Sequence, residues 1–427
     1  MTLPGIVAGL AAAFLAAAAA AAPSVVKVSP GGLAAALRDA SPGAIVELAP
    51  GRYEGGVVIE KPLLIRGQGV DGGSVIDGGG NGRVVTIDAP DVVLQGVTVR
   101  GSGISLFDED AGVYLTKNAA GAVIEDNFLT ENLIGVAVKG ATDAIVRRNR
   151  IHGRRDLRMS ERGNAIYVWN APGTEVVEND VRFGRDGIFV TTSRDNRFAG
   201  NTFRDLRFAV HYMYTQSSDV VGNTSAGNHV GYALMYSKNI SVRDNLSTGD
   251  RDHGVLLNYV NNSEIEGNAV LGGGEKCVFI YNSNVNDFNG NWFEGCGIGI
   301  HFTAGSERNR MSGNAFIGNR TQVKYVGTRH LDWSADGRGQ YWSDNPAFDL
   351  DGDGLSDRSY RPNDMVDQVV WAHPVAKLLL NGPAVTVLRY AQTQLPSLHP
   401  GGVVDSAPLM RPPEVAARGR PGPVEEP

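Results

Sequence analysis

The composition of this chain excludes several kinds of protein before any motif is considered. Basic residues are in the minority: the 427 residues include 39 Lys and Arg against 46 Asp and Glu, a formal net charge of −7. No basic stripe interleaved with aromatic side chains is present, so no nucleic-acid partner is expected. Cysteine is scarce, with only Cys277 and Cys296, so at most one disulfide can form within the chain.

Long apolar runs are also scarce. Gly5 to Ala21 is an alanine-rich apolar segment that ends in a small-residue cleavage motif, Ala19 to Ala21. This pattern is typical of an export signal, although no Lys or Arg precedes it. We therefore expect residues 1–22 to be a signal peptide and the protein to be periplasmic. The segment Val366–Gln392 contains charged residues and no run of about 18 uncharged apolar residues, so it is not expected to span a membrane.

The chain does have a regular period of asparagines. They recur every 22 or 23 residues, with a single longer step of 30 residues, at nine positions: Asn127, Asn149, Asn179, Asn201, Asn223, Asn245, Asn268, Asn291 and Asn314. Such a period is the signature of a solenoid whose coils stack on one another. We expect the asparagines to lie at a bend that tolerates left-handed backbone, with their side chains forming a hydrogen-bonded ladder along the axis. We interpret this ladder as scaffold and not as a catalytic feature.

Most coils continue with a small residue and then a short alternating run, as in Gly187 followed by residues 188–190. Alternation of period two indicates a strand with one buried face. The leucine-rich consensus of other repeat proteins with a similar period is absent. The sequence therefore predicts an all-β protein, a right-handed parallel β-helix over residues 23–330, with a short N-terminal cap helix at Gly32–Ala40.

Three segments follow the repeats. Residues 331–365 are rich in Asp, Gly and Trp, and we expect them to cap the C-terminal end of the β-helix. Residues 366–394 are apolar and partly helical in character, so we predict that they dock a partner. Residues 395–427 form a proline-rich tail that is expected to be poorly ordered.

Two insertions interrupt the period at the same point of the coil. The acidic insertion lies at residues 107–110 and the basic one at residues 154–162. Both loops should therefore leave the same side of the β-helix. Two interpretations are open: the loops pair with each other through their opposite charges, or they carry contacts to a partner.

Outward strand positions carry the main candidate site. The register places Met213 and Met235 on neighbouring coils about 4.8 Å apart, with His211 two residues before Met213 on the same face. Thioether and imidazole ligands suit Cu(I), so these three residues are candidate ligands for copper in transit. The alternative is an exposed apolar patch for a protein partner, which Tyr214 and Tyr236 beside it also favour.

The two cysteines lie on neighbouring coils. In an oxidising compartment a disulfide is the simpler expectation. Their offsets from the asparagine of their own coils differ, however, nine residues for Cys277 and five for Cys296. This difference puts a Cα separation below roughly 7 Å in question. A pair of free thiols that bind a soft metal is the alternative.

An acidic, glycine-rich loop offers a second candidate metal site. Asp349, Asp351, Asp353 and Asp357 alternate with other residues in a spacing that can wrap Ca²⁺ with oxygen ligands. The closing Glu of an EF-hand loop is missing, since Tyr360 stands at its position. A purely structural turn is equally consistent with this spacing.

A polysaccharide-active protein is the main competing class, because β-helices often bind or cleave polysaccharides. Cleavage needs two or three carboxylates gathered on one outer face. Asp186 and Asp252 occupy similar coil positions but lie three coils apart, about 14 Å, which is too far for a catalytic pair. We therefore expect no enzymatic activity, with a polysaccharide-binding module, a glycoside hydrolase or a lyase as the alternative.

Several longer phrases resemble a single family. They read RDLRFAVHYMY, DRDHG, EKCVFIY, GIHFTAGSE and GQYWSD, and they lie at residues 204–214, 250–254, 275–281, 299–307 and 339–344. Together they resemble the NosD family, from about residue 25 to Met410. The resemblance implies a β-helix of the carbohydrate-binding and sugar-hydrolase type that is not itself an enzyme.

The resemblance also implies partners. Members of the family work with an ABC transporter, made of a cytoplasmic ATPase and a membrane permease, and with a copper chaperone lipoprotein. Together these proteins assemble the copper centres of nitrous oxide reductase in the periplasm. No ligand residue is carried over from the resemblance, and the copper candidates rest on the outward Met and His positions alone.

Overall fold

The computed structural model describes residues 23–69, 73–303, 305–327, 329–379, 382–395 and 402–419. The expected signal peptide, residues 1–22, lies outside the described residues. The body of the protein is a parallel β-helix in which the coils contribute short strands to three long sheets. We name these sheets A, B and C, in the order in which the chain meets them within a coil. The predicted fold class is therefore confirmed.

The strands of the three sheets pair in parallel from coil to coil. Sheet A contains Val25–Val28, Ile45–Leu48, Leu64–Arg66, Val93–Gln95, Val123–Glu125, Ile145–Arg147, Glu175–Val177, Arg197–Ala199, Gln216–Val221, Lys238–Arg243, Glu264–Glu266, Asp287–Asn289 and Arg310–Ser312. Sheet B contains Gly51–Glu54, Ser74–Asp77, Thr98–Arg100, Phe128–Thr130, Arg150–His152, Asp180–Arg182, Thr202–Arg204, Thr224–Ala226, Leu246–Thr248, Ala269–Leu271, Trp292–Glu294, Ala315–Ile317 and Tyr341–Trp342. Sheet C contains Val57–Ile59, Val85–Ile87, Ala111–Leu115, Ile134–Lys139, Ile166–Trp169, Asp186–Thr191, Phe208–Met213, Val230–Met235, His253–Asn258, Lys276–Tyr281, Ile298–Thr303 and Thr321–Val326.

The alternation in the sequence decides which side chains fill the core. In the strand Asp186–Thr191, Ile188 and Val190 point inward and are fully buried, whereas the side chains between them lie on the outer face. The small residue before each run is required by a tight corner. A Cβ atom at Gly187 would lie only 2.5 Å from the carbonyl oxygen of Ala209 on the next coil.

The asparagine ladder forms as expected, and Asn223 shows its geometry. The Oδ1 of Asn223 accepts from the backbone N–H and the side-chain Nδ2 of Asn201, at 3.0 and 2.9 Å. Its Nδ2 donates to the carbonyl oxygen of Phe198 and to the Oδ1 of Asn245, at 2.9 and 3.0 Å. The expected left-handed backbone needs a correction, because it falls on the residue before each asparagine, such as Asp244 with φ of 53°. The asparagine side chain is therefore used for hydrogen bonding and not for the turn.

Cys277 and Cys296 form a disulfide, and their Cα atoms are 5.6 Å apart. Their different offsets from the asparagines do not prevent the bond, because Cys277 lies at the start of a sheet C strand and Cys296 at the corner that leads into the next sheet C strand. Both side chains are buried. The free-thiol alternative is thereby corrected, and this pair offers no thiolate ligands to a metal.

Helix α1, Leu33–Asp39, covers the N-terminal end of the β-helix, at the position that the sequence predicts. Its buried residues, Leu33 and Leu37, join the core that runs through the coils. The helix thus shields the otherwise open edge of the first coil from solvent.

The C-terminal cap is built from stacked aromatic rings and the end of the ladder. The ring centroids of Phe316 and Trp342 are 4.6 Å apart, and Trp342 contacts Tyr360 at 5.1 Å. Gln340 takes the place of a further asparagine, since its Oε1 accepts from the Nδ2 of Asn314 at 2.7 Å. These contacts close the core at this end.

The chain returns to the cap near its C-terminus. The strand Gly402–Val404 pairs with His330–Asp332, and the carboxylate of the buried Asp405 accepts from the indole N–H of Trp342 at 2.7 Å. We name residues 402–419 the return segment. Its packing corrects the expectation that this part of the tail is poorly ordered, because the segment is held by backbone pairing and a buried carboxylate.

The apolar segment before it forms two α-helices with a 3₁₀ helix between them. Helix α2 spans Met365–Ala372, a 3₁₀ helix spans Pro374–Leu379, and helix α3 spans Pro383–Gln394. We name residues 365–395 the helical hairpin. A last 3₁₀ helix, Ala416–Gly419, lies in the return segment. In the described ranges no helix is both long and apolar enough to cross a membrane.

Both inserted loops leave the corner between sheets B and C, as expected. Glu109 of the first loop pairs with Lys139, and Arg154 of the second pairs with Asp156 at 2.6 Å. These ion pairs tie each loop to its own surroundings, which gives no support to pairing between the loops. Contacts to a partner stay a prediction for both.

Asp250 is a buried carboxylate near the same corner. It accepts from the hydroxyls of Ser225 and Ser247, at 2.7 and 2.6 Å, and from the N–H of Asn228 at 2.8 Å. Burial raises the pKa of Asp250 to about 6. The carboxyl group of Asp250 therefore binds its proton more tightly in the folded state than in the unfolded state. The resulting stabilisation is fully present below about pH 4 and is lost as the pH rises through about 6.

The variant Asp250→Asn removes the charge and keeps polar partners for the same groups. Its Oδ1 accepts from the N–H of Asn228, and its Nδ2 donates to the hydroxyls of Ser225 and Ser247, which turn from donors into acceptors. We expect it to match the unmodified protein near pH 4 and to be more stable above about pH 7, by up to about 3 kcal/mol. Urea unfolding midpoints of both proteins at the two pH values measure the difference. An equal difference at both values would contradict a role for the buried charge.

Candidate functional site

The outer face of sheet C places two methionines side by side. Met213 and Met235 end the strands Phe208–Met213 and Val230–Met235 and are register partners on neighbouring coils. Both side chains are half-buried. The structure thus places the pair where the asparagine period predicts, and two thioethers share one outer surface.

His211 lies on the same face, two residues before Met213, but it is only 6% exposed. Its ring packs against those of Phe189 and Phe208, with centroid distances of 4.8 and 4.9 Å. An outward position therefore does not leave this histidine open to solvent, because aromatic side chains of the same face cover it.

A carboxylate orients this imidazole. The Nδ1 of His211 lies 2.9 Å from an Oδ atom of the fully buried Asp186. Arg207 donates two N–H groups to the same carboxylate, at 2.8 and 2.7 Å. Burial opposes the ionisation of Asp186, but the hydrogen bonds from His211 and Arg207 outweigh it and hold the pKa of Asp186 below its usual value. Asp186 is therefore an ionised acceptor for the histidine.

The other ring nitrogen of His211, Nε2, is buried without a hydrogen-bond partner. In the tautomer that donates Nδ1–H to Asp186, the lone pair of the imidazole lies on Nε2. A carboxylate on the far nitrogen is the usual arrangement behind a metal-binding histidine. From the sequence Asp186 is only a candidate catalytic carboxylate. The signal for its role is the spacing of 25 residues, one coil of 22 plus three, which brings it beside His211.

Two more histidines lie on the outer face of sheet C. Burial lowers the pKa of His253, and it also lowers the pKa of His301, to about 4, with help from Lys324 and Lys276. Both imidazoles are therefore neutral at neutral pH. The ring of Phe279 separates them, with centroid distances of 5.5 and 4.9 Å.

Asp186 and Asp252 do not form a carboxylate pair. Sheet C places their strands three coils apart, as the period predicts. Asp186 is engaged by Arg207 and His211, and Asp252 lies 3.3 Å from the Nδ1 of His229. These two carboxylates are thus held by different partners on different coils.

A row of exposed tyrosines borders the methionines. Tyr214, Tyr236 and Tyr259 occupy one position on successive coils, at the corner between sheets C and A. Tyr281 lies on the next coil one residue earlier, at the end of the sheet C strand, where it is the register partner of Asn258. The centroids of the first three rings are 5.1 and 5.2 Å apart, and Tyr281 meets Tyr259 edge to face at 5.9 Å. We name these four residues the tyrosine ridge. From the sequence only the first two stand out, since the row depends on the register of four coils.

The acidic loop brings three of its four aspartates together. Asp349, Asp351 and Asp353 each place one carboxylate oxygen within 4.8 Å of the others. The Oδ2 of Asp357 instead accepts from the backbone N–H of Leu350 at 2.8 Å. Asp349 also accepts two backbone N–H groups of the loop. These bonds fit a structural turn, and calcium binding here stays a prediction.

The helical hairpin exposes several apolar side chains. Leu378 is 85% exposed, Val375 is 78% exposed, and Val387 and Tyr390 are each 67% exposed. Exposed apolar side chains gathered on one element are typical of an interaction surface. The structure thus adds exposure to the docking role that the sequence predicts for this segment.

The fold defines the class of this protein, which is that of the parallel β-helix proteins. It resembles the A-module of mannuronan C-5 epimerase AlgE6 from Azotobacter vinelandii, with a TM-score of 0.56 and 15% identity over 73% of this chain and 92% of that one. It also resembles a family 28 exopolygalacturonase from Yersinia enterocolitica, with a TM-score of 0.54 and 9% identity over 71% of this chain and 77% of that one. At these identities the likeness shows the fold alone. Residues 71–205 match a family model described as a right-handed β-helix region, in agreement with the predicted hand.

Sequence relatives give the family. Residues 149–347 match the model described as periplasmic copper-binding protein (NosD). A relative from Pseudomonas aeruginosa, named probable ABC transporter binding protein NosD, is 43% identical and covers 88% of this chain and 89% of its own length. A relative of the same name from Stutzerimonas stutzeri is 42% identical and covers 85% of this chain and 86% of its own length. The chain belongs to the NosD family, as its phrases predict.

Proposed function

We propose that this chain is a periplasmic maturation factor that helps to assemble the copper centres of nitrous oxide reductase. It acts together with an ABC transporter and a copper chaperone lipoprotein. The description of the family supports copper and the periplasm, and the name of the relatives supports the transporter. The observation that carries the proposal is the pair of neighbouring thioethers, Met213 and Met235, beside the carboxylate-oriented His211.

In this proposal copper binds transiently at this site, as Cu(I). Thioether sulfur is a soft ligand that selects Cu(I), and an imidazole nitrogen adds a second type of ligand. Asp186 fixes the ring of His211 and raises the basicity of Nε2. Half-buried thioethers on a rigid outer face suit transfer, because the ligands of a partner reach a metal on these sulfur atoms without any opening of the core. His211 joins them only when the rings of Phe189 and Phe208 that cover it move aside.

Our proposal is binding without catalysis. The relatives are named as binding proteins, which supports this choice. The alternative, cleavage of a polysaccharide, needs a pair of carboxylates on one face. Asp186 is already engaged by Arg207 and His211, and Asp252 lies three coils away.

The helical hairpin is the proposed contact to the membrane permease of the transporter. Its apolar side chains offer the permease a surface that is costly to leave in water. The β-helix is a stack of hydrogen-bonded coils. ATP-driven movement of the permease is therefore transmitted along the β-helix to the reductase or the chaperone that is bound to it. Loss of this contact separates the transporter from the copper site without touching the copper ligands.

Replacing Leu378 and Val387 together with serine is expected to abolish co-purification of the permease. Both side chains are mostly exposed, so the change leaves the fold intact. The control is Leu350→Ser, which removes a side chain that is 85% exposed outside the hairpin. A permease that still co-purifies with the double variant would show that the hairpin is not the contact. Truncation after Asp364 is a less selective test, because it also removes Asp405 from the cap.

A further inference from the structure

The tyrosine ridge holds bulky side chains where the backbone disfavours them. Tyr214, Tyr236 and Tyr259 have φ of 53°, 49° and 55°, in the left-handed region. This region suits Gly and Asn, and it strains a residue with a large side chain. The same corner position carries Asn170 and Thr192 on the two coils before the ridge and Asn282 on the coil after Tyr259, with φ of 45°, 55° and 45°. Strain of this kind persists at functional sites when a specific side chain is required there.

The ridge is also exposed. Tyr214 is 59% exposed, and Tyr236, Tyr259 and Tyr281 are each 42% exposed. The near-parallel stacking of the first three rings turns their edges and hydroxyl groups outward, one set for each coil. Three strained, exposed and regularly spaced tyrosines contribute little to the core. A binding surface accounts for all three properties.

A column of hydrogen-bonding side chains runs beside the ridge. Gln216, Lys238 and Asn261 are register partners on the same three coils. With the tyrosines they line a shallow groove of about 380 Å³. Each coil therefore presents an aromatic edge with a hydroxyl and a long polar side chain. This pair recurs at the spacing of the coils, about 4.8 Å.

We propose that the tyrosine ridge binds an uncharged, β-linked glycan strand that lies along the axis of the β-helix. The coil spacing is comparable with the length of one hexopyranose in an extended strand, so successive sugars meet successive aromatic and polar pairs and present alternate edges to them. The hydroxyls of a sugar bond to tyrosine hydroxyls and to amides, and its apolar C–H groups pack against the outward edges of the stacked rings.

The few charges beside the ridge favour a neutral glycan over a polyuronate. A polyuronate carries one negative charge per sugar and requires a matching row of cations. The polar column has one lysine, Lys238, between Gln216 and Asn261. The next cation in the column, Arg194, is paired with Asp195 at 3.0 Å. Attraction along the column is therefore too sparse for a charged chain.

Isothermal titration of the full chain with soluble oligosaccharides tests the proposal. We expect chitohexaose or cellohexaose to bind and hexagalacturonate not to bind. The triple variant Tyr214→Asn, Tyr236→Asn and Tyr259→Asn should lose this binding and remain folded, because asparagine occupies the same backbone position in other coils. Trp169→Asn, which removes another exposed aromatic side chain of the same outer face, should bind as the unmodified chain does.

A second variant removes the hydroxyls without disturbing the stack. Changing the same three tyrosines to phenylalanine should weaken glycan binding by about tenfold or more. Absence of binding to both neutral oligosaccharides would overturn the proposal, and so would stronger binding of hexagalacturonate. If the asparagine variant binds glycan normally but loses a protein partner on co-purification, the ridge is a protein-binding surface and the proposal is wrong.

This inference stands apart from the copper function. The tyrosine variants leave Met213, Met235 and His211 in place, so copper loading of the reductase is expected to persist in them. Failure of glycan binding with normal copper loading rejects the ridge alone. Failure of copper loading in the double variant Met213→Leu, Met235→Leu tests the copper site and leaves the conclusion on glycan binding unchanged.

Discussion

Cells that carry Met213→Leu together with Met235→Leu are expected to produce nitrous oxide reductase without its copper. The double change removes both thioethers from the outer face of sheet C and leaves side chains of similar volume. The fold should therefore persist, since volume-conserving apolar changes cost little. His211 alone offers Cu(I) a single imidazole, which is too few ligands to hold the ion. Metal analysis of the purified reductase measures the outcome.

The matched control for this experiment is Met311→Leu. Met311 lies in a strand of sheet A and is buried in the core, so the change removes a thioether that no partner can reach. Copper in the reductase should then equal that of the unmodified strain. Normal copper content in the Met213 and Met235 double variant would reject these residues as the transfer site, and the exposed patch would be a protein contact only.

A single change in the asparagine ladder, Asn223→Ala, is expected to destabilise the protein by about 2 to 6 kcal/mol. The substitution removes the acceptor of the backbone N–H and of one Nδ2 hydrogen of Asn201 inside the core, whereas the other Nδ2 hydrogen keeps the carbonyl oxygen of Val176. Each unsatisfied buried donor costs about 1 to 3 kcal/mol. Chemical denaturation followed by circular dichroism measures the loss.

Asn289→Ala serves as the comparison for the ladder variant. Asn289 is exposed on a strand of sheet A and has only a long contact of 3.5 Å to Glu266. Its replacement should change stability by less than about 0.5 kcal/mol. A similar small effect for Asn223→Ala would show that the ladder contributes little, and that stacking of the apolar core holds the coils together.

The architecture could be predicted because a solenoid repeats its contacts locally. Each coil touches mainly its two neighbours, so one period in the sequence fixes the pairing of every strand. The alternating runs then assign the inner and outer faces, as Ile188 and Val190 show. The bend was less predictable. The asparagine marks the ladder, but the left-handed residue is the one before it, because the asparagine side chain is committed to hydrogen bonds with the next coil.

The candidate site was predictable in part. The period places Met213 beside Met235, and the structure has them as register partners. The period in the sequence does not show that His211 is covered, because that depends on how the rings of Phe189 and Phe208 pack over it. The disulfide, the simpler expectation from the sequence, is confirmed. The doubt about its Cα separation was wrong, because counting from the asparagines ignores how the chain folds between sheets B and C.

The sequence by itself determined the coil, its period, the two faces of each strand and the position of the cap helix. These features arise from contacts between residues about one coil apart, which the spacing records directly. Only the tertiary structure decided the environment of His211, the row of the tyrosine ridge and the path of the return segment. Asp405 reaches Trp342 across 63 residues of chain, and no local pattern encodes that contact. Such long-range packing depends on the shape of the whole cap.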